Sequence, residues 1–214
     1  GAFPFIAGMS TTMANMGIIY TSSPVFIVIL SVFLFSEKIS LNRIVGLIIC
    51  LIGVITIITK GNFNYLINFS FTTGDFWMLG AAIGWALYSI YLLNWKSKFS
   101  LMGRFTLIAF FGFITLFPFY ILEESLFFDT NFNYTFLAWV LFAAISPGII
   151  AFSLYTKVQR YLGASLTGFT LYLFAVYGAI FGIILFEEML LPFHYYGGAL
   201  VFAGVYIARK IKTI

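Results

Sequence analysis

Few residues in this 214-residue chain could carry covalent or proton chemistry, and their spacing argues against it. The one histidine, His194, and the one cysteine, Cys50, have no second residue at the spacing of a metal site or of a nucleophile with its base. All seven acidic residues fall at the ends of apolar runs, so none stands at mid-run as a general acid, base or proton relay. Among the basic residues only Lys157, one turn before the end of its run, is placed to reach inward. That makes it the candidate coupling group, although its long stem also lets it snorkel to an interface. No catalytic residue, metal site or cofactor is therefore expected.

What the apolar runs carry instead is aromatic and neutral polar. Trp85, Tyr88 and Ser89 share one helical face at i, i+3 and i+4. Ser146, Tyr155 and Gln159 lean one way on a later run, and Thr167, Thr170 and Tyr172 lie near Ser165 on the next. Ser23-Pro24 and Ser146-Pro147 fall near the middles of their runs, where a proline frees a backbone carbonyl and bends a helix. Asn15 and Asn94 carry amides that are costly against lipid. Aromatic residues can simply fill a core or belt an interface. The sharper reading is a cavity for a partly apolar organic solute, lined by Asn15, Ser23, Pro24, Trp85, Tyr88, Ser89, Ser146, Pro147, Tyr155, Thr170 and Tyr172.

The elements that must position these residues are membrane helices. The chain is 62% hydrophobic and 8% charged, with mean hydropathy +1.06, against about a quarter charged in soluble domains. Seven apolar runs, at residues 10–35, 42–59, 74–95, 105–122, 136–156, 164–186 and 193–208, are each long enough to cross a ~30 Å hydrocarbon core. The fold class is an all-α integral membrane bundle. No basic leader precedes the apolar sequence after Gly1, so a cleavable signal peptide is not expected.

A net charge of +4 and a pI near 9.1 could suit a nucleic-acid binder, but the charges alternate between connections instead. Lys38 and Arg43, then Lys96, Lys98 and Arg104, then Lys157 and Arg160, then Arg209, Lys210 and Lys212 mark one side, and Lys60 alone falls on the other. By the positive-inside rule the first side is cytoplasmic, with the C-terminus inside and Gly1 outside. The outer side carries Asp75, Glu123, Glu124, Asp129, Glu187 and Glu188. No nucleic-acid partner is expected.

Sliding the sequence along itself by 151 residues superposes Gly17 on Gly168, Val25 on Val176, Glu37 on Glu188, Gly46 on Gly197 and Gly53-Val54 on Gly204-Val205. Each copy is an apolar run, an acidic hinge and a second apolar run. An offset of five crossings inverts the second copy, the plan of many secondary transporters. Residues 1–60 read as the end of a first repeat, 61–73 as an outer linker and 74–214 as a second repeat of five spans. If the halves are built alike, roughly 77 residues and about three spans precede Gly1 in the whole protein.

The run YTSSPVFIVILSVFLFSEKISLNRIVGLIICLIGV resembles the EamA-like permeases of the drug/metabolite transporter superfamily in its serine-proline span, Glu hinge and glycine-spaced closing span. Gly74-Asp75 with Gly84-Trp85-Ala86-Leu87-Tyr88 is similar to the opening of that family's second half. Tyr155 with Arg160-Tyr161-Leu162-Gly163-Ala164-Ser165 resembles the run joining its eighth and ninth spans. Ala175 and Glu187 depart from the family's usual proline and glycine. The resemblance implies ten spans in two inverted halves, a central cavity and alternating access for small metabolites, often as an exporter in an inner membrane. A homodimer is left open, and the alternative is a non-transporting scaffold in a membrane complex. Because no mid-span acid or histidine is found, transport is expected to be uncoupled or coupled through upstream spans.

Overall fold

The computed structural model of the chain describes residues 2–62, 64–68, 70–94, 98–127, 133–186, 189 and 191–209, and every regular element among them is helical. In order these are α1 (Phe3–Gly8), α2 (Met13–Tyr20), α3 (Ser23–Phe35), α4 (Leu41–Ile58), α5 (Asn64–Ile67), α6 (Thr73–Asn94), α7 (Leu101–Phe127) and α8 (Tyr134–Ala143). A π-helical stretch Ala144–Ala151, α9 (Phe152–Gly168), a 3-10 turn Phe169–Tyr172, α10 (Leu173–Phe186) and α11 (Pro192–Arg209) complete the chain. Lys96, Asp129, Glu187, Glu188, Lys210 and Lys212 lie outside the described residues, as do the side chains of Glu123, Glu124 and Pro147.

Five described stretches are long and apolar enough to cross a membrane: Asn15–Phe35, Leu41–Ile58, Thr73–Asn94, Gly103–Ile121 and Tyr134–Phe181. The last runs 48 residues, about 70 Å at 1.5 Å per residue, more than two hydrocarbon cores deep. It takes in the fifth and sixth apolar runs, and their polar connection is not the loop that its charges suggest. Lys157 and Arg160 remain within α9, and the break falls at Gly163, where φ is 80° and ψ 167°. Only glycine adopts that conformation without strain. A methyl group there meets nothing within 4 Å, so Gly163→Ala is expected to cost about 1–3 kcal/mol through backbone conformation alone. An unfolding midpoint equal to wild type, followed by circular dichroism in detergent, would contradict this.

The two Ser-Pro sites resolve differently. Pro24 does not kink a continuous helix; it sits in the first turn of α3, where a missing N–H is harmless. The chain turns at Thr21 and Ser22, whose hydroxyls donate to the carbonyls of Ile18 and Ile19, both at 2.6 Å. Those bonds satisfy groups that the break sets loose. Pro147 lies inside the π-helical stretch, whose wider turn suits a residue with no N–H to give.

Helices α4 and α11 form the tightest seam. A methyl at Gly46 would lie 2.5 Å from the Gly204 carbonyl oxygen, and one at Gly53 would lie 2.7 Å from that of Gly197. Rising numbers on α4 meet falling numbers on α11, so the helices run antiparallel. The 151-residue shift maps the seam onto itself: Gly46 against Gly204 becomes Gly197 against Gly53. Likewise Gly46 against Ala208 becomes Gly197 against Ile57. At the centre Cys50 Sγ donates to the carbonyl of its own repeat mate, Val201, at 3.4 Å. Both copies are thus present in opposite orientations about a local twofold axis. In lipid, apolar residues gain little from association alone, so close backbone packing of this kind carries the helix pairing.

Leu47, Cys50, Val54 and Val201 continue the seam into a core with Val28, Phe169, Tyr172 and Val176. The acidic hinge before α4 is fixed by Arg43, whose Nη1 meets Glu37 Oε1 at 3.0 Å. His194, the mate of Arg43, instead accepts the Leu191 N–H at Nδ1 (3.1 Å) at the start of α11.

Candidate functional site

Helix α6 carries a buried stripe, Asp75, Met78, Ala82, Ala86, Ser89 and Ile90, with small residues in the middle and polar groups towards both ends. The alanines let α3 and α9 pack close, and Ile27 and Ala164 meet Ala86 and Ile90 there. The two polar regions are separate sites, since Asp75 and Ser89 are fourteen positions apart, about 21 Å along the axis.

At the Ser89 end the structure builds an aromatic and amide cluster between α6 and α9. Trp85 has its ring centroid 5.3 Å from Tyr155, 5.7 Å from Tyr88 and 5.6 Å from Phe152, and Phe152 also meets Phe105 at 5.8 Å. These tilted and edge-on pairings suit aromatic quadrupoles. Ser89 Oγ and the Tyr155 hydroxyl are 2.7 Å apart. Gln159 Nε2 donates to both the Ser89 carbonyl (2.6 Å) and Ser89 Oγ (2.8 Å). Gln159 and Ser89 are almost fully buried, so this network holds α9 against α6 where loss of a partner could not be made good by water. Arg104 edges the cluster beside Tyr88 and Phe152; its Nη1 donates to the Leu92 carbonyl at 3.0 Å and its Nε is enclosed without a partner.

Of the residues singled out from sequence, Trp85, Tyr88, Ser89, Tyr155 and Gln159 come together here. The others do not join them. Tyr172 is buried in the core with Cys50 and Phe169. Ser23 and Pro24 are buried at the start of α3, where Gly168 packs against Pro24. The Thr170 hydroxyl donates to the Thr167 carbonyl at 2.7 Å. Ser146 is half-buried in the π-helical stretch, and Lys157 is exposed on α9. Phe152 was missed because one phenylalanine among 28 carries no signal of its own.

Asn15 belongs to the second region, a cavity of about 720 Å³ between the α1–α2 connection and the segment from Asn62 to Thr72. Its wall is backed by Asp75, which the sequence places at the outer end of an apolar run and the structure buries completely. Thr11 Oγ1 donates to Asp75 Oδ1 at 2.5 Å, and the Thr72 N–H and hydroxyl donate to Oδ2 at 2.7 and 3.1 Å. The Asp75 N–H in turn donates to the Thr72 carbonyl at 3.1 Å, a reciprocal cap at the start of α6. Thr72 three positions before Asp75 is the sequence signal for it.

An antiparallel repeat, helices of membrane-spanning length and a buried polar-aromatic cluster between them define a polytopic membrane protein on the inverted-repeat plan of carriers. The comparisons with known proteins make that class specific: residues 3–59 and 72–209 match the EamA-like transporter family, and the chain belongs to it. An uncharacterized transporter of Methanothermobacter thermautotrophicus is 25% identical over 207 residues, 95% of this chain and 59% of the relative. The uncharacterized transporter YetK of Bacillus subtilis is 27% identical over 202 residues, 92% and 60% respectively. The chain thus spans about three fifths of the length of these relatives. A solved crystal structure superposes with a TM-score of 0.74 at 20% identity, over 97% of this chain and 70% of that one, which shows a shared fold.

Proposed function

We propose that the chain forms the substrate-handling part of a secondary transporter that moves small organic metabolites across a cell inner membrane by alternating access. Export is the expected direction, with the C-terminus cytoplasmic. The observation that carries this reading is the cluster of Trp85, Tyr88, Phe152 and Tyr155 braced by Ser89 and Gln159. It offers aromatic faces to an apolar moiety, on two helices joined by the Ser89–Tyr155–Gln159 hydrogen bonds. The inverted seam of α4 and α11 supports two states related by exchange of the halves. Lys157, two residues beyond Tyr155 on the same helix, is the coupling candidate in this reading.

The test is flux of a metabolite panel into liposomes carrying the full-length protein. Solute-specific, saturable flux is expected, and Trp85→Ala should raise the half-saturating concentration about fivefold, as loss of roughly 1 kcal/mol of aromatic contact implies. Flux that is absent for every solute, or unchanged in half-saturation by Trp85→Ala, would count against the site.

A further inference from the structure

The aromatic cluster borders a permanent positive charge that no described side chain neutralises. Arg104, at the start of α7, lines a cleft with Tyr88, Leu92, Phe152, Ser153 and Thr156. An arginine that only marks the end of a span lifts its head into water. Arg104 instead turns towards α6, where its Nη1 donates to the Leu92 carbonyl at 3.0 Å and its Nε is enclosed without a partner. Trp85 Nε1, on a side chain that packs against the same Tyr88 and Phe152 rings, is also enclosed without a partner. A guanidinium and an indole can only donate, and a buried donor left unpaired is costly. The nearby hydroxyls do not decide a sign: those of Tyr88 and Ser153 can give or accept, and Thr156 has given its proton to the Phe152 carbonyl at 2.8 Å. The charge decides it. The acidic side chains that the structure describes are Glu37 and Asp75. Glu37 is held by Arg43 at 3.0 Å, and Asp75 lies seventeen residues before Leu92, about 26 Å away along α6.

We infer that Arg104 selects the substrate at the aromatic cluster, and that the substrate class is an organic monocarboxylate with an apolar body. The guanidinium fork meets a carboxylate in two parallel N–H···O bonds, and the rings of Trp85, Tyr88 and Phe152 cover the apolar part. One cation balances one charge, which favours a carboxylate over a phosphate monoester carrying nearly two. A solute of the same shape with an ammonium group is repelled, and one with a neutral amide loses the charge assistance. The cleft has a volume of about 10 Å³, the room of a single water, so the carboxylate reaches the guanidinium when α7 moves off α6 and α9. The inference rests on the reading of this cluster as the substrate site, and equilibrium binding tests it separately from flux.

The experiment is equilibrium dialysis of radiolabelled phenylacetate against the full-length protein in phosphatidylcholine nanodiscs, blanked with empty nanodiscs, with phenylacetamide and phenethylamine as competitors. Saturable phenylacetate binding is expected, with phenylacetamide at least tenfold weaker and phenethylamine without effect. Arg104→Gln, whose amide can still donate to the Leu92 carbonyl, should weaken phenylacetate about tenfold and leave phenylacetamide unchanged. Arg104→Lys should keep the preference for the anion, and Trp85→Ala should weaken both ligands by the same factor. Binding with this preference but without flux would uphold the inference and remove the transport reading; saturable flux of other solutes without phenylacetate binding would do the reverse. The amide or the amine competing as well as phenylacetate itself, or Arg104→Gln weakening acid and amide equally, would overturn the assignment. So would loss of binding when phosphatidylglycerol replaces part of the lipid, which would give the guanidinium to a lipid phosphate.

Discussion

Gly53→Ala and Gly204→Ala are each expected to destabilise the protein by about 3 kcal/mol, while Gly84→Ala leaves stability within about 1 kcal/mol of wild type. All three change the same atoms in a helix, so propensity alone would favour alanine everywhere. Surroundings decide the sign. At Gly53 the added methyl lies 2.7 Å from the Gly197 carbonyl oxygen and 2.9 Å from the Val201 nitrogen; at Gly204 it lies 2.5 Å from Cys50 Sγ and 2.7 Å from the Gly46 carbonyl oxygen. Most of these neighbours are backbone, which cannot rotate aside as a side chain can, so the helices must separate. Gly84 has nothing within 4 Å. Because the repeat exchanges Gly53 with Gly204, the two variants should lose similar amounts, and together they should lose less than the sum, since either one already opens the seam. Thermal unfolding in detergent reads this directly. Gly53→Ala and Gly84→Ala melting together would mean that α4 and α11 do not touch along this face.

The glycines of that seam were legible in the sequence, because a spacing of seven repeated at the 151-residue offset is local pattern, but that the two closing helices pack on one another was not. The face of Trp85, Tyr88 and Ser89 was legible for the same reason, being set by helical spacing. Its partners were not. Tyr155 and Gln159 reach Ser89 across 66 and 70 residues of chain, and periodicity says nothing about which helix lies opposite. Tyr172 shares composition with the cluster yet turns into the core beside Cys50, a choice made by packing. Lys157 and Arg160 suggest a loop because charge marks span ends, but a charged helix face continues as far as the backbone allows, which here is Gly163. Hydropathy treats a carboxylate at a span end as solvated, whereas three donated hydrogen bonds let that of Asp75 stay buried.

Those three bonds carry the second large effect. Asp75→Ala removes the acceptor and leaves the Thr11 hydroxyl, the Thr72 hydroxyl and the Thr72 N–H, all half-buried at the wall of the polar cavity, without their shared partner. A buried donor left unpaired costs about 1–3 kcal/mol, and relaxation at the cavity wall recovers part of it, so a net loss of about 3 kcal/mol is expected. Asp75→Asn should lose only about 1 kcal/mol, because its carbonyl oxygen can still take the Thr72 pair while its amide donates to Thr11, whose hydroxyl rotates to accept. The site also depends on Gly74: a methyl there would lie 2.5 Å from the Ala7 carbonyl oxygen and 2.7 Å from Ser10 Oγ. Gly74→Ala must therefore push the α1–α2 connection, and Thr11 with it, away from the carboxylate. If it acts through that contact, adding Asp75→Ala to Gly74→Ala should cost clearly less than Asp75→Ala alone, by at least 0.5 kcal/mol. Chemical unfolding of the four proteins closes the cycle. Strict additivity would show that Gly74→Ala does not act through the carboxylate, and an Asp75→Asn loss as large as that of Asp75→Ala would show that it is the charge and not the three hydrogen bonds that stabilises the start of α6.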